Sequence, residues 1–86
     1  MKILKYKVPL QETFSIDIPT DGLILAVQTQ RNKPYIWVQV GTALSSKRNF
    51  RLLNTGEMFD VVSSEEKYIG TFQLDGGAFI GHLFEL

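Results

Sequence analysis

The feature that most constrains the fold is the stretch Lys67 to Leu86, KYIGTFQLDGGAFIGHLFEL. Two runs of strand-forming residues, Tyr68 to Leu74 and Ala78 to Leu86, flank Asp75-Gly76-Gly77. Residues that tolerate positive φ, set between two alternating apolar runs, specify a β-hairpin over 68–86. Side chains two apart share a face of a strand, so His82 stands with Ile80 and Phe84, and Gly81, Leu83 and Glu85 point the other way. A glycine inside a strand weakens it unless another group must approach closely. Gly70 and Gly81 are therefore expected to seat large aromatic side chains, Trp37 among them. With Asp75, Gly76, Gly77 and His82 they form the expected structural set, His82 as a satisfied core or interface histidine.

The same period of two runs through most of the chain. Leu4, Tyr6 and Val8 alternate with Lys5 and Lys7 up to Pro9, and lysines on a first strand protect an exposed edge. Phe14, Ile16 and Ile18 make a second strand, stopped by Pro19-Thr20-Asp21-Gly22. Leu23 to Gln30 is apolar on both faces at its start, the pattern of a central strand. Arg31-Asn32-Lys33-Pro34 interrupts, and Tyr35 to Val40 resumes with Tyr35, Trp37 and Gln39 on one face and Ile36, Val38 and Val40 on the other. Trp37 reads as a core residue whose indole N–H needs an acceptor, or else as a stacking or interface residue. Gly41 to Asn49 reads as a loop and Phe50 to Leu53 as a short strand ending at Asn54-Thr55-Gly56. Residues 57–66 read as a loop with a short helical turn near Ser63-Ser64-Glu65-Glu66.

No segment carries the i, i+3, i+4, i+7 pattern of an amphipathic helix. The expected fold is all-β, a small antiparallel sandwich or barrel-like sheet of about six or seven strands. Residues 1–86 make a single domain, because a chain this short cannot divide its core.

The chemistry is as informative for what it lacks. Nine basic and nine acidic side chains cancel, which argues against nucleic acid and against an anionic membrane surface. No apolar window is long enough for a membrane span. There is no cysteine and one histidine, so no metal or cofactor site is expected. Ser45 and Ser46 lack the elbow motif of a nucleophile, and Gly76-Gly77 leads into a strand instead of a phosphate-binding helix. The chain is therefore not expected to be an enzyme. An enzymatic alternative would need a pocket that brings His82 beside Glu57 or Asp60.

Binding has a stronger signal. Arg31, Lys33, Tyr35 and Trp37 interleave cations with rings, and Lys47, Arg48, Phe50 and Arg51 repeat the mixture. Such sets suit phosphate-bearing ligands, the cations pairing with phosphate and the rings stacking on bases. Zero net charge and aromatic richness also favour a homo-oligomer.

The chain resembles an uncharacterised family of small phage and prophage proteins, a domain of unknown function. The resemblance lies in Lys5-Tyr6, Trp37, Phe50 to Gly56, Tyr68-Ile69-Gly70-Thr71-Phe72-Gln73-Leu74, Gly76-Gly77-Ala78 and His82-Leu83-Phe84-Glu85. It implies a phage-borne accessory protein in the bacterial host cytoplasm that binds and inhibits a host protein, such as a defence component. The alternative is a protein that sequesters an anionic nucleotide between subunits.

Overall fold

A computed structural model describes residues 1–61 and 65–86. The alternating runs become seven antiparallel strands: β1 (Lys2–Lys7), β2 (Thr13–Pro19), β3 (Leu23–Gln30), β4 (Lys33–Val40), β5 (Ser45–Asn54), β6 (Lys67–Leu74) and β7 (Phe79–Glu85). They form a three-stranded sheet ordered β1-β4-β3 and a four-stranded sheet ordered β2-β5-β7-β6. The fold is thus all-β, as the period of two requires. No helix among the described residues is long and apolar enough to cross a membrane.

Two hairpins are local. Arg31 and Asn32, at φ 53° and 61°, make the two-residue turn of β3–β4. Positive φ at both turn positions matches the right-handed twist of the strands, and asparagine is among the few residues that accept it readily. The β6–β7 turn passes through Asp75–Gly77, with φ 52°, 65° and 99° along it. The hairpin expected over 68–86 is present.

The inner faces of the two sheets meet in one core. Val8, Ile18, Val27, Ile36, Val38, Val40, Phe50, Leu52, Phe72, Leu74 and Leu83 are all buried there. Gly81 faces this core, where an added Cβ would lie 2.8 Å from Phe72 Cζ and 3.0 Å from both Leu52 Cδ1 and Phe79 Cε1. It seats aromatic rings, as expected. Gly70 instead seats Val27, whose Cγ1 would be 2.7 Å from an added Cβ. Trp37 lies against neither glycine, because it sits on the outer face of the other sheet.

Gly70 and Val27 also mark where the sheets lean together. β3 is bulged between Ile24 and Ala26, and β6 between Tyr68 and Gly70. A bulge bends its strand and increases the local twist, and these two lie on the edge strands that approach each other. β3 is therefore an edge strand, with Leu23 and Leu25 exposed. Its apolar start does not reflect burial on both sides.

Strand β5 is longer than its hydrophobic pattern suggests. Ser45 to Asn49 is strand, not loop, because it pairs with β2 from Pro19↔Ser45 to Ser15↔Asn49. The partner strand supplies the ladder that its own polar composition does not advertise. The helical turn expected near Ser63 and Ser64 falls on residues 62–64, outside the described residues; Glu65 and Glu66 are not helical.

Candidate functional site

Register decides which side chains share the outer face of the three-stranded sheet. Ile3, Gln39 and Leu23 form one row, Lys5, Trp37 and Ala26 a second, and Lys7, Tyr35 and Gln28 a third. Ile3 is 59% and Leu23 52% exposed, so no other part of the described chain covers this face. Lys5 lies across it, its Nζ 4.6 Å from the Tyr35 ring centroid and 5.9 Å from that of Trp37. A hydrogen bond of 2.6 Å from Lys5 Nζ to Gln30 Oε1 holds it there. Trp37 is half-buried, and its indole N–H is enclosed with no acceptor among the described residues. The core placement for Trp37 is thus replaced by a surface one: β4 turns Ile36, Val38 and Val40 inward and leaves Trp37 outside.

The cations expected to act together are dispersed. Arg31 lies in the β3–β4 turn and Lys33 opens β4 just after it, both exposed. Lys33 joins Lys7, Pro9, Leu10 and Pro34 in lining a groove of about 580 Å³. Lys47 is exposed opposite Asp17 on the outer face of the other sheet. Arg48 and Arg51 are held in internal pairs. Arg48 donates from Nε to Glu85 Oε2 at 2.6 Å, from Nη2 to Oε1 at 2.8 Å, and from Nη1 to the Gly22 carbonyl at 2.6 Å. That bonding, together with the Glu85 charge, raises the Arg48 pKa above the ordinary arginine value against the opposing effect of burial.

Arg51 performs a different task. It is buried on the outer face of the four-stranded sheet. Its Nη1 donates to the Asp60 carbonyl at 2.9 Å and its Nη2 to Glu66 Oε2 at 2.9 Å, while the guanidinium lies 5.3 Å from the Phe59 ring centroid. Arg51 thereby fastens the segment after β5 over the sheet, and Leu53 beside it is only 2% exposed. This second small buried region lies on the opposite side of the four-stranded sheet from the main core, and the short strand read over Phe50 to Leu53 does not reveal it.

Under that segment is a pocket of about 320 Å³, lined by Leu53, Asn54, Thr55, Gly56, Glu57, Phe59, Tyr68, His82 and Phe84. His82 is half-buried at its wall, with both ring nitrogens bonded. Thr55 Oγ1 is 2.6 Å from Nε2 and Thr71 Oγ1 2.9 Å from Nδ1, and the Tyr68 hydroxyl is 2.5 Å from Thr71 Oγ1. The histidine is neither in the dry core nor free. His82 and Glu57 do line one pocket, the juxtaposition that the enzymatic alternative requires. Glu57, however, is engaged locally: its Oε1 accepts from the Asn54 N–H at 2.8 Å. Asp60 is absent from the lining and supplies its backbone carbonyl to Arg51.

Comparison with known proteins adds a family. The model of one family, described as Domain of unknown function (DUF7352), matches residues 1–86. No curated protein and no solved structure matches the chain.

Proposed function

The chain belongs to the DUF7352 family of domains of unknown function, and we propose that it acts as a non-enzymatic binding protein whose open sheet face docks a partner protein. The observation that carries this reading is the uncovered outer face of β1-β4-β3, which presents Ile3, Leu23, Tyr35 and Trp37 together with Lys5. Tryptophan and tyrosine dominate binding energy at interfaces when a partner completes their burial. The outward positions include Lys5, Lys7 and Lys33 and no carboxylate, so the complementary surface is an apolar patch rimmed by acidic side chains. The resemblance to phage and prophage proteins supports a bacterial host protein as that partner, with inhibition by occlusion as the outcome. In the test, wild-type protein and the Trp37→Ala and Tyr35→Ala variants are incubated with host lysate and sized by sedimentation. Wild type retains a stoichiometric acidic partner and both variants lose it at unchanged melting temperature. No stoichiometric partner, or a wild-type dimer that Trp37→Ala converts to monomer, removes the host-protein reading of this face.

A second reading, an anionic ligand site, is favoured by the Lys7 and Lys33 groove. A nucleotide at 100 times its dissociation constant would add about 2.7 kcal/mol of stability. Thermal shift against mono-, di- and cyclic nucleotides, with Lys7→Ala and Lys33→Ala as controls, tests it. No shift for any of them ends it.

A further inference from the structure

We infer that the pocket beneath the Arg51-fastened segment binds an uncharged heteroaromatic ring of nucleobase size, as free base or nucleoside. Small-molecule sites are mostly apolar concavities with a few placed polar groups, and this one has that composition: rings from Phe59, Tyr68 and Phe84 with the hydroxyl of Thr55 at its edge. At about 320 Å³ it lies at the small end of the range for such sites, room for one ring system. Its walls are preformed. Phe59 is held by Arg51, Tyr68 and Phe84 pack with ring centroids 5.4 Å apart, and Asn54 and Glu57 bond reciprocally through the turn at Gly56.

The hydrogen-bond chain sets the polar chemistry. In a neutral imidazole one nitrogen donates and the other accepts. With the proton on Nδ1, His82 donates to Thr71, and Thr55 donates to Nε2 and offers lone pairs to the pocket. With the proton on Nε2, Tyr68 donates to Thr71, Thr71 donates to Nδ1, and Thr55 receives from Nε2 and turns its own hydrogen outward. The chain Tyr68–Thr71–His82–Thr55 can therefore reverse as a unit, and Thr55 Oγ1 presents either an acceptor or a donor without a change of geometry. Heteroaromatic bases carry both kinds of group on one edge, and their faces stack on aromatic side chains.

Charge excludes the phosphorylated forms. Glu57 is the acid lining the pocket, and the neighbouring cation, Arg51, lies behind Phe59 and is neutralised by Glu66, whose Oε1 is 2.7 Å from Nη2. A phosphate would meet a carboxylate and, among the described lining residues, no cation. This site is separate from the open face of the other sheet and does not depend on it.

The test is calorimetric titration with adenosine, guanosine, cytidine and uridine, and with their 5′-monophosphates. At least one nucleoside saturates the protein at millimolar concentration or below, and its monophosphate binds no tighter. Thr55→Val weakens that binding about tenfold, the loss of one hydrogen bond to the ligand, and Thr55→Ser retains it. Phe59→Ala, which opens the wall and leaves the hydroxyl chain intact, also weakens it. Absence of titration by all four nucleosides overturns the inference, as does binding that Thr55→Val leaves unchanged or a monophosphate that binds more tightly than its nucleoside.

Discussion

Asn32 and Asp75 hydrogen-bond to each other twice, and so tie the turn of one hairpin to the turn of the other. Asn32 Nδ2 donates to Asp75 Oδ1 at 2.6 Å, and the Asp75 backbone N–H donates to Asn32 Oδ1 at 2.8 Å. Both residues have positive φ, 61° and 52°, a conformation that asparagine and aspartate tolerate better than other non-glycine residues. One pair thus fixes two turns and the relation between the two sheets at that end.

This pair should be measurable by a double-mutant cycle. Asn32→Ala and Asp75→Ala are each expected to lower unfolding free energy by about 1–2 kcal/mol, from lost hydrogen bonds and left-handed backbone strain. Asn32→Gly restores the backbone share alone. A coupling of about 1 kcal/mol between the two positions is expected in urea titrations, and additive effects would show that the turns stand independently.

Removing Arg51 should release the segment it fastens. Arg51→Met leaves Glu66 buried and unpaired, a change of about 3–5 kcal/mol when one partner of a buried pair is deleted. Hydrogen exchange should rise first in residues 55–61, ahead of global unfolding. The double variant Arg51→Met with Glu66→Met should recover much of the loss, since no charge is then stranded. Exchange in 55–61 that stays at the wild-type rate in Arg51→Met would show that the salt bridge does not hold this segment.

The two strand glycines should differ in kind. At Gly81 a valine meets three core side chains at 3.0 Å or less, so Gly81→Val is expected to destabilise by about 1–3 kcal/mol or more through overpacking. At Gly70 the single obstacle is Val27 Cγ1, so the pair Gly70→Ala with Val27→Ala should recover stability relative to Gly70→Ala alone. Thermal melts of the three variants decide it, and an unchanged melting temperature in Gly81→Val would refute the close-packed seat.

The Arg48–Glu85 bridge has a defined pH signature. Because the folded state raises the Arg48 pKa, its contribution is complete below the unfolded arginine value and is lost only as pH climbs through the still higher folded one. Glu85→Gln should cost about 1 kcal/mol, and the difference from wild type should stay constant from about pH 7 to about pH 10. A difference that shrinks within that window would mean that Arg48 does not carry the bridge.

Sequence legibility followed hydrophobic contrast. β1, β2, β4 and the 68–86 hairpin announce themselves by runs of strand-forming residues with a period of two, bounded by turn residues. The first half of β5 does not, because Ser45 to Asn49 is polar on both faces and is made a strand by pairing with β2. β3 misleads in the opposite sense: Leu23 and Leu25 look central yet stand exposed at an edge. The open face of β1-β4-β3 was partly visible, since alternation alone puts Tyr35 and Trp37 together. It could not show that Arg48 and Arg51 are occupied by Glu85 and Glu66, partners 37 and 15 residues away. The Thr55–His82–Thr71 chain was invisible for the same reason, each member coming from a different part of the four-stranded sheet and its border.

The strand order has a consequence for how the chain acquires its structure. Among the described strand pairs, only β3–β4 and β6–β7 are closed by tight turns; β1 must find β4, and β2 must find β5, which in turn pairs with β7. Hairpins form in about 1–10 μs, whereas β-rich domains dominated by distant pairings fold in about milliseconds to seconds. The β6–β7 hairpin follows β2 and β5 in the chain, and the four-stranded sheet is complete only when β5 pairs with its strand β7. Until it emerges, Phe14, Ile16 and Ile18 have no completed sheet to bury against, and that waiting period is when a nascent chain is most exposed to misassociation.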